Sequence, residues 1–119
     1  SAAGDRDVGP DVSLAHATGD RLAGEEIKAK LTGATFSVGE MLSGGPYLWQ
    51  LRADGTLSIL AGAEQRERFT GSWRVDGDRL CRTLSEPNTR EACFSVVASG
   101  SRLQLFTADG LMRFDTRVQ

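Results

Sequence analysis

The chain has 119 residues, of which 39% are hydrophobic and 25% are charged, a composition typical of one soluble domain with a single core. Its formal net charge of −2 at pH 7 gives no general attraction to nucleic acid or to an anionic membrane. No apolar run approaches the roughly 20 residues that a membrane-spanning helix needs. We therefore expect a partner that is neither nucleic acid nor lipid bilayer.

The N-terminal part divides into an arm and a short helix. Residues 1–21 mix glycine, proline and charged side chains with scattered apolar ones, which predicts a flexible arm, and residues 22–119 then form the single domain. Within the domain, residues 22–31 have acidic residues first, basic residues last and Gly33 just beyond, the order that favours a helix and its C-terminal stop. We expect this helix to close one end of the domain.

From Ala34 onward the hydrophobic period is two, which indicates strands. Asp-Gly occurs three times between alternating segments, at Asp54-Gly55, Asp76-Gly77 and Asp109-Gly110, and this pair is a strong signal for a tight turn between antiparallel strands. The pattern predicts an all-β protein, an antiparallel up-and-down barrel or tight sandwich of about eight strands.

Alternation assigns one set of side chains to a common interior. Both tryptophans belong to it, because a tryptophan on an alternating strand most often packs in the core. The expected interior residues are Tyr47, Trp49, Leu51, Leu57, Ile59, Phe69, Trp73, Leu80, Phe94, Val96, Leu103, Leu105 and Leu111.

The chain has two cysteines, Cys81 and Cys93, on consecutive predicted strands. They form neither a Cys-x-x-Cys motif nor a cluster with histidine, so a redox motif or zinc site is not indicated. If the register places them opposite each other they form a disulfide across the hairpin, which favours a periplasmic or secreted protein. The alternative is a pair of reduced cysteines buried in a cytosolic core.

An ordered set of motifs over residues 22–116 resembles a group of uncharacterised secreted domains common in alphaproteobacteria. The matching motifs are Leu31-Thr32-Gly33-Ala34-Thr35, Tyr47, Asp54-Gly55, Gly71-Ser72-Trp73, Leu80-Cys81, Ala92-Cys93-Phe94 and Asp109-Gly110. The resemblance implies a disulfide-bonded β-barrel exported to the periplasm, without an assigned activity. A likeness to lipocalins is limited to general architecture, because their Gly-x-Trp motif lies on the first strand and Gly71-Ser72-Trp73 falls on about the fourth.

No group of residues indicates catalysis, a metal site or a cofactor. His16, the single histidine, lies in the predicted arm without cysteine or histidine companions for zinc. Asp76-Gly77-Asp78 begins like a calcium loop but lacks the later ligands of one, and Glu40 is isolated. We therefore expect a non-catalytic protein with neither cofactor nor metal.

Two functional classes remain. One is an extracytoplasmic binding module that recognises a small ligand or a protein partner through loops at one barrel end. The other is an accessory subunit or inhibitor of a cell-envelope enzyme.

The loops with most freedom are Gly39–Pro46 and Ala61–Arg68, which places Tyr47 and Arg66 among the candidate binding residues, unless both loops are only solvated connections. Arg74 and Arg82 are also candidates: if either points into a cavity it indicates an anionic ligand, and if outward it is solvated or pairs with an acid.

Overall fold

The computed structural model describes residues 13–38, 47–61 and 64–119. Eight strands, β2–β9, follow one another in the sheet in chain order, each antiparallel to the next. A two-residue strand, β1, pairs with β7 outside this order. The elements are β1 (Asp20–Arg21), α1 (Gly24–Leu31), β2 (Thr35–Val38), β3 (Tyr47–Leu51), β4 (Thr56–Ala61), β5 (Arg66–Asp76), β6 (Arg79–Leu84), β7 (Ala92–Ser99), β8 (Arg102–Phe106) and β9 (Met112–Arg117).

The sheet curls until its first and last strands meet. Phe36 on β2 bridges Val118, just after β9, and the N–H of Gln119 donates to the carbonyl of Thr35 at 2.9 Å. The fold is therefore a nearly closed up-and-down barrel of eight strands. This confirms the all-β prediction, and of the two predicted architectures, barrel and tight sandwich, the structure is the barrel.

The barrel has two different ends. We call the end where β2, β4, β6 and β8 finish and where β3, β5, β7 and β9 begin the mouth, and the other the closed end. The turns at Gly55 and Gly77 lie at the closed end and the turn at Gly110 lies at the mouth. All three glycines have positive φ, between 60° and 89°, which explains why glycine stands there.

Helix α1 covers the closed end, as the sequence predicts. Ile27 and Leu31 are fully buried on its inner face. The N–H of Gly24 donates to Asp78 Oδ1 at 2.8 Å, and Lys30 Nζ donates to the carbonyl of Gly100 at 3.0 Å. These bonds tie the helix to two separate turns of the barrel, so the helix closes that end.

The segment before α1 crosses the outer face of the barrel. Ser13 bridges Leu111 at the mouth, whereas β1 pairs with Val97 and Ala98 towards the closed end. Between these points Phe106 is fully buried, although it alternates with the interior residue Leu105 and so lies on the outer face. Residues 13–21, which are part of the predicted arm, therefore pair with the barrel at both ends of this segment.

The interior follows the predicted alternation in all strands but the last. Leu111 was expected inside, but it is 54% exposed, so that prediction is wrong. The pairing of β9 with β8 shifts between Met112 and Phe114, and this β-bulge moves Phe114 and Thr116 to the inner face instead. The buried core comprises Leu22, Ile27, Leu31, Ala34, Phe36, Val38, Trp49, Leu51, Leu57, Ile59, Trp73, Leu80, Phe94, Val96, Ala98, Leu103 and Leu105.

The predicted disulfide is present. Cys81 on β6 stands directly opposite Cys93 on β7, with the Cα atoms 4.0 Å apart and the two Sγ atoms bonded. Cys81 is fully buried, although it lies on the outer side of the strand.

Gly71 on β5 has no room for a side chain. A Cβ atom added there would collide with the carbonyl oxygen of Thr83 and with the Cα atom of Leu84, both backbone atoms of β6. We expect Gly71→Ala to lower the free energy of unfolding by about 1–3 kcal/mol, the usual cost of overpacking. Urea denaturation measures this, and Ser72→Ala on the neighbouring exposed position is the control; equal effects of the two variants would contradict the prediction.

Candidate ligand-binding site

Arg82 points into the barrel. It lies on β6 between the inward residues Leu80 and Leu84, and it pairs across the sheet with the core residue Trp73. Because side chains two residues apart share one face of a strand, Arg82 lies on the apolar face. A cation is therefore placed where the neighbouring strands carry hydrophobic side chains.

The guanidinium of Arg82 lies half-buried, and no acid among the described residues forms an ion pair with it. Its Cζ atom lies 5.8 Å from the ring centroid of Trp49. Its Nε atom is buried and has no hydrogen-bond partner in the part of the chain that the structure describes. Burial is the main cause that lowers the pKa of Arg82, and the positive charge of Arg113 lowers it further. The side chain nevertheless stays protonated, because arginine is not deprotonated in proteins.

Arg113 is positioned by the bulge in β9. Met112 faces Phe106 and Phe114 faces Leu105, so Arg113 between them has no residue opposite it on β8. Its Cζ atom lies 5.0 Å from the ring centroid of Phe114. Bulges at barrel rims commonly redirect a side chain, and here the redirected guanidinium is close enough to influence Arg82. We refer to Arg82 and Arg113 as the arginine pair.

Aromatic rings form the floor beneath the arginine pair. Trp49 and Phe114 meet edge to face with centroids 5.3 Å apart, and Phe94 meets Phe114 in the same way at 5.7 Å. Phe36 lies 5.8 Å from Trp49 on the other side. Because this cluster belongs to the packed core or lies against it, the deep interior is filled. A ligand would sit in a shallow site at the mouth.

The other predicted binding residues differ in their surroundings. Tyr47 is half-buried at the start of β3, on the same face as Trp49 and nearer the mouth. Arg66 is exposed and forms an ion pair with Glu64 at 2.8 Å. The structure therefore places Tyr47 and Arg82 at the mouth, and it places Arg66 on the rim with its charge compensated.

Arg74 points outward and is engaged by acids. Its guanidinium donates two hydrogen bonds to Glu91, at 2.7 and 2.8 Å, and lies 3.6 Å from Asp76. The hydrogen bond from Arg74 lowers the pKa of Glu91. Arg74 is therefore an ion-paired surface residue, whereas Arg82 points inward.

The predicted loops are described only in part. Gly39–Pro46 and Glu40 within it lie outside the described residues, as do residues 62 and 63. From residue 66 the second predicted loop is already strand β5.

Two further features of the surface carry no chemistry of their own. Cys81, Glu91 and Cys93 bring potential metal-ligand atoms within 4.8 Å of one another, but both sulfur atoms are bonded together and Glu91 is held by Arg74. A groove of about 510 Å³ lies outside the barrel beside the N-terminal segment. Its lining residues are Ser13, Leu14, Ala15, Ala17, Gly19, Arg21, Val97, Asp109 and Gly110.

Comparison with family models, with curated protein sequences and with solved structures finds no match to this chain. No helix in the described segments combines the length and apolar character that crossing a membrane requires.

Proposed function

We propose that the protein is a non-catalytic extracytoplasmic binding module that takes a small anionic ligand at the mouth of its barrel. The observation that carries this proposal is Arg82, an inward, half-buried arginine whose Nε atom has no partner among the described residues. Burying a charged group without a partner is unfavourable, so such a residue is expected to have a use other than stability.

An anion would supply the hydrogen-bond acceptor that Arg82 Nε lacks among the described residues. A carboxylate or phosphoryl oxygen can accept the hydrogen bond that Arg82 Nε offers, and its charge would relieve the repulsion between the arginine pair. The partly exposed ring of Phe114 supplies an apolar surface for the rest of the ligand. Apolar walls with a few polar groups that fix orientation are typical of small-molecule sites.

The disulfide supports the extracytoplasmic part of the proposal, because such bonds persist in oxidising compartments. The resemblance to exported alphaproteobacterial domains supports it as well. A periplasmic or secreted location is thus proposed together with the ligand.

The location of the uncompensated charge favours a small ligand over an enzyme partner. Arg66 on the rim and Arg74 on the outer face, both exposed as a partner protein would require, are already paired with acids. Arg82 lies inside the mouth, where a small anion reaches it more readily than a protein surface does.

The test is titration of the protein with benzoate, a carboxylate on an aromatic ring, monitored by NMR at the side-chain N–H groups of Arg82 and Trp49. We expect saturable shifts at both. Arg82→Met should weaken binding about ten- to a hundredfold, since a hydrogen bond to a charged group contributes about 1.5–3 kcal/mol. Arg79→Met, on the same strand but exposed at the closed end, is the matched control and should bind like the unchanged protein.

Stability separates a binding role from a structural one. If Arg82 is present for a ligand, Arg82→Met should keep or raise the thermal midpoint, because it removes a buried unpaired donor. A lower midpoint together with unchanged benzoate binding would overturn the proposal. So would shifts confined to the closed end.

A further inference from the structure

Two arginines occupy equivalent irregularities at the mouth. The pairing of β5 with β4 shifts so that Ile59 faces Phe69 and Leu60 faces Glu67, which leaves Arg68 without a residue opposite it. Arg113 has the same position in the bulge of β9. In both strands the bulged arginine directly precedes a phenylalanine that packs against the core, Phe69 or Phe114.

The two bulges lie on opposite sides of the barrel. In the sheet order, β5 is the fourth of the eight barrel strands and β9 is the eighth. Both bulges are near the mouth end of their strands. Arg82 lies on the fifth strand, beside β5, so the three arginines come from two sides of the barrel.

The charges of these arginines are not compensated within the described residues. Arg68 and Arg113 are exposed, and neither has a hydrogen bond or ion pair to any described side chain. Two nearby acids of the same end have other partners: Glu64 is paired with Arg66, and Glu67 accepts a hydrogen bond from Ser58 at 3.2 Å. A regular strand offers no reason for a bulge at either place, whereas a bulge at a barrel rim is a common way to redirect a side chain towards a site.

We infer that the ligand is a multiply charged oxyanion, with one negative group on Arg82 and further negative charge held by Arg68 and Arg113 from opposite sides of the rim. The inference rests on the proposed function and specifies its ligand class. The shared chemistry is two or more negative charges on carboxylate or phosphoryl oxygens, which guanidinium groups bind in a planar, two-pronged geometry. Arg68 and Arg113 then determine the preference for multiply charged ligands, while Arg82 binds the negative group that all of these ligands share.

The test compares three probes with one aromatic ring each: benzoate, with one charge, and phthalate and phenyl phosphate, both largely dianionic at pH 7.5. Isothermal titration calorimetry should show that both dianions bind at least about tenfold more tightly than benzoate does. Arg113→Gln and Arg68→Gln should each remove most of this difference between the dianions and benzoate. Arg79→Gln, the exposed arginine of the closed end, is the matched control.

The outcomes separate the two claims. Benzoate binding that depends on Arg82, with dianions no tighter, overturns the multiply charged ligand and leaves the proposed function standing. Failure of all three probes to bind contradicts the proposed function itself. A preference for only one of the two dianions supports the inference and identifies the source of the charge, dicarboxylate or phosphoryl. A dianion preference that survives both rim substitutions removes Arg68 and Arg113 from the site and overturns the inference.

Discussion

Replacing Trp73 with alanine should lower the free energy of unfolding by about 3–5 kcal/mol, the usual cost of deleting a large aromatic side chain from a core. Trp73 is 9% exposed and belongs to the core cluster. Its Nε1 atom donates to the carbonyl of Arg52 at 2.8 Å, and its backbone N–H donates to the carbonyl of Gly55 at 2.9 Å. The side chain therefore fills the interior and also ties β5 to the turn between β3 and β4.

Urea denaturation of Trp73→Ala and Trp73→Phe distinguishes these two contributions. Phenylalanine keeps most of the apolar volume and loses the hydrogen bond to Arg52, so it should cost less than alanine, about 1–2 kcal/mol. An unchanged unfolding midpoint for the alanine variant would mean that Trp73 is not part of the core.

Much of the fold could be predicted because local patterns determine it. Alternation and the three Asp-Gly pairs indicate strands and turns without any knowledge of long-range contacts. The sequence places Cys81 and Cys93 on consecutive strands, but the register that sets them opposite each other comes from the structure. What alternation does not reveal is a bulge, because one inserted residue reverses the faces of everything after it. For this reason alternation did not place Phe114, which follows the bulge, in the interior.

The same reasoning explains which parts of the site could be anticipated. Arg82 alternates with Leu80 and Leu84, so its inward orientation could be read from the pattern, and Arg74 between Trp73 and Val75 could be read as outward. The sequence pattern did not identify Arg113 as a candidate binding residue, because its position depends on the bulge. The signal that could have found it is the Arg-Phe pair that recurs at Arg68-Phe69 near one mouth loop and at Arg113-Phe114 near another.

The disulfide stabilises the strand pair that carries Arg82. The pairing of β6 with β7 runs from Arg79 to Arg82, and Arg82 faces Ala92 at its mouth end. Cys81 and Cys93 form the adjacent pair, one step further from the mouth. On the outer face, Glu91, the residue just before β7, accepts two hydrogen bonds from Arg74 on β5. The disulfide and the Arg74–Glu91 ion pair both hold the backbone of β6 near Arg82. We therefore expect the disulfide to affect ligand affinity as well as stability.

Replacing both cysteines with alanine should therefore lower the free energy of unfolding by about 3 kcal/mol, because the bond closes a loop across a separation of 12 residues. Denaturation of the Cys81→Ala, Cys93→Ala double variant measures the loss, and the unchanged protein under reducing conditions controls for the missing sulfur atoms. At a temperature where the double variant is fully folded, its affinity for benzoate should also fall, because the mouth end of β6 is less firmly held. Full retention of stability by both proteins would contradict the structural role of the bond. Lost stability with unchanged benzoate affinity would show that the remaining ladder and the Arg74–Glu91 ion pair suffice to position Arg82.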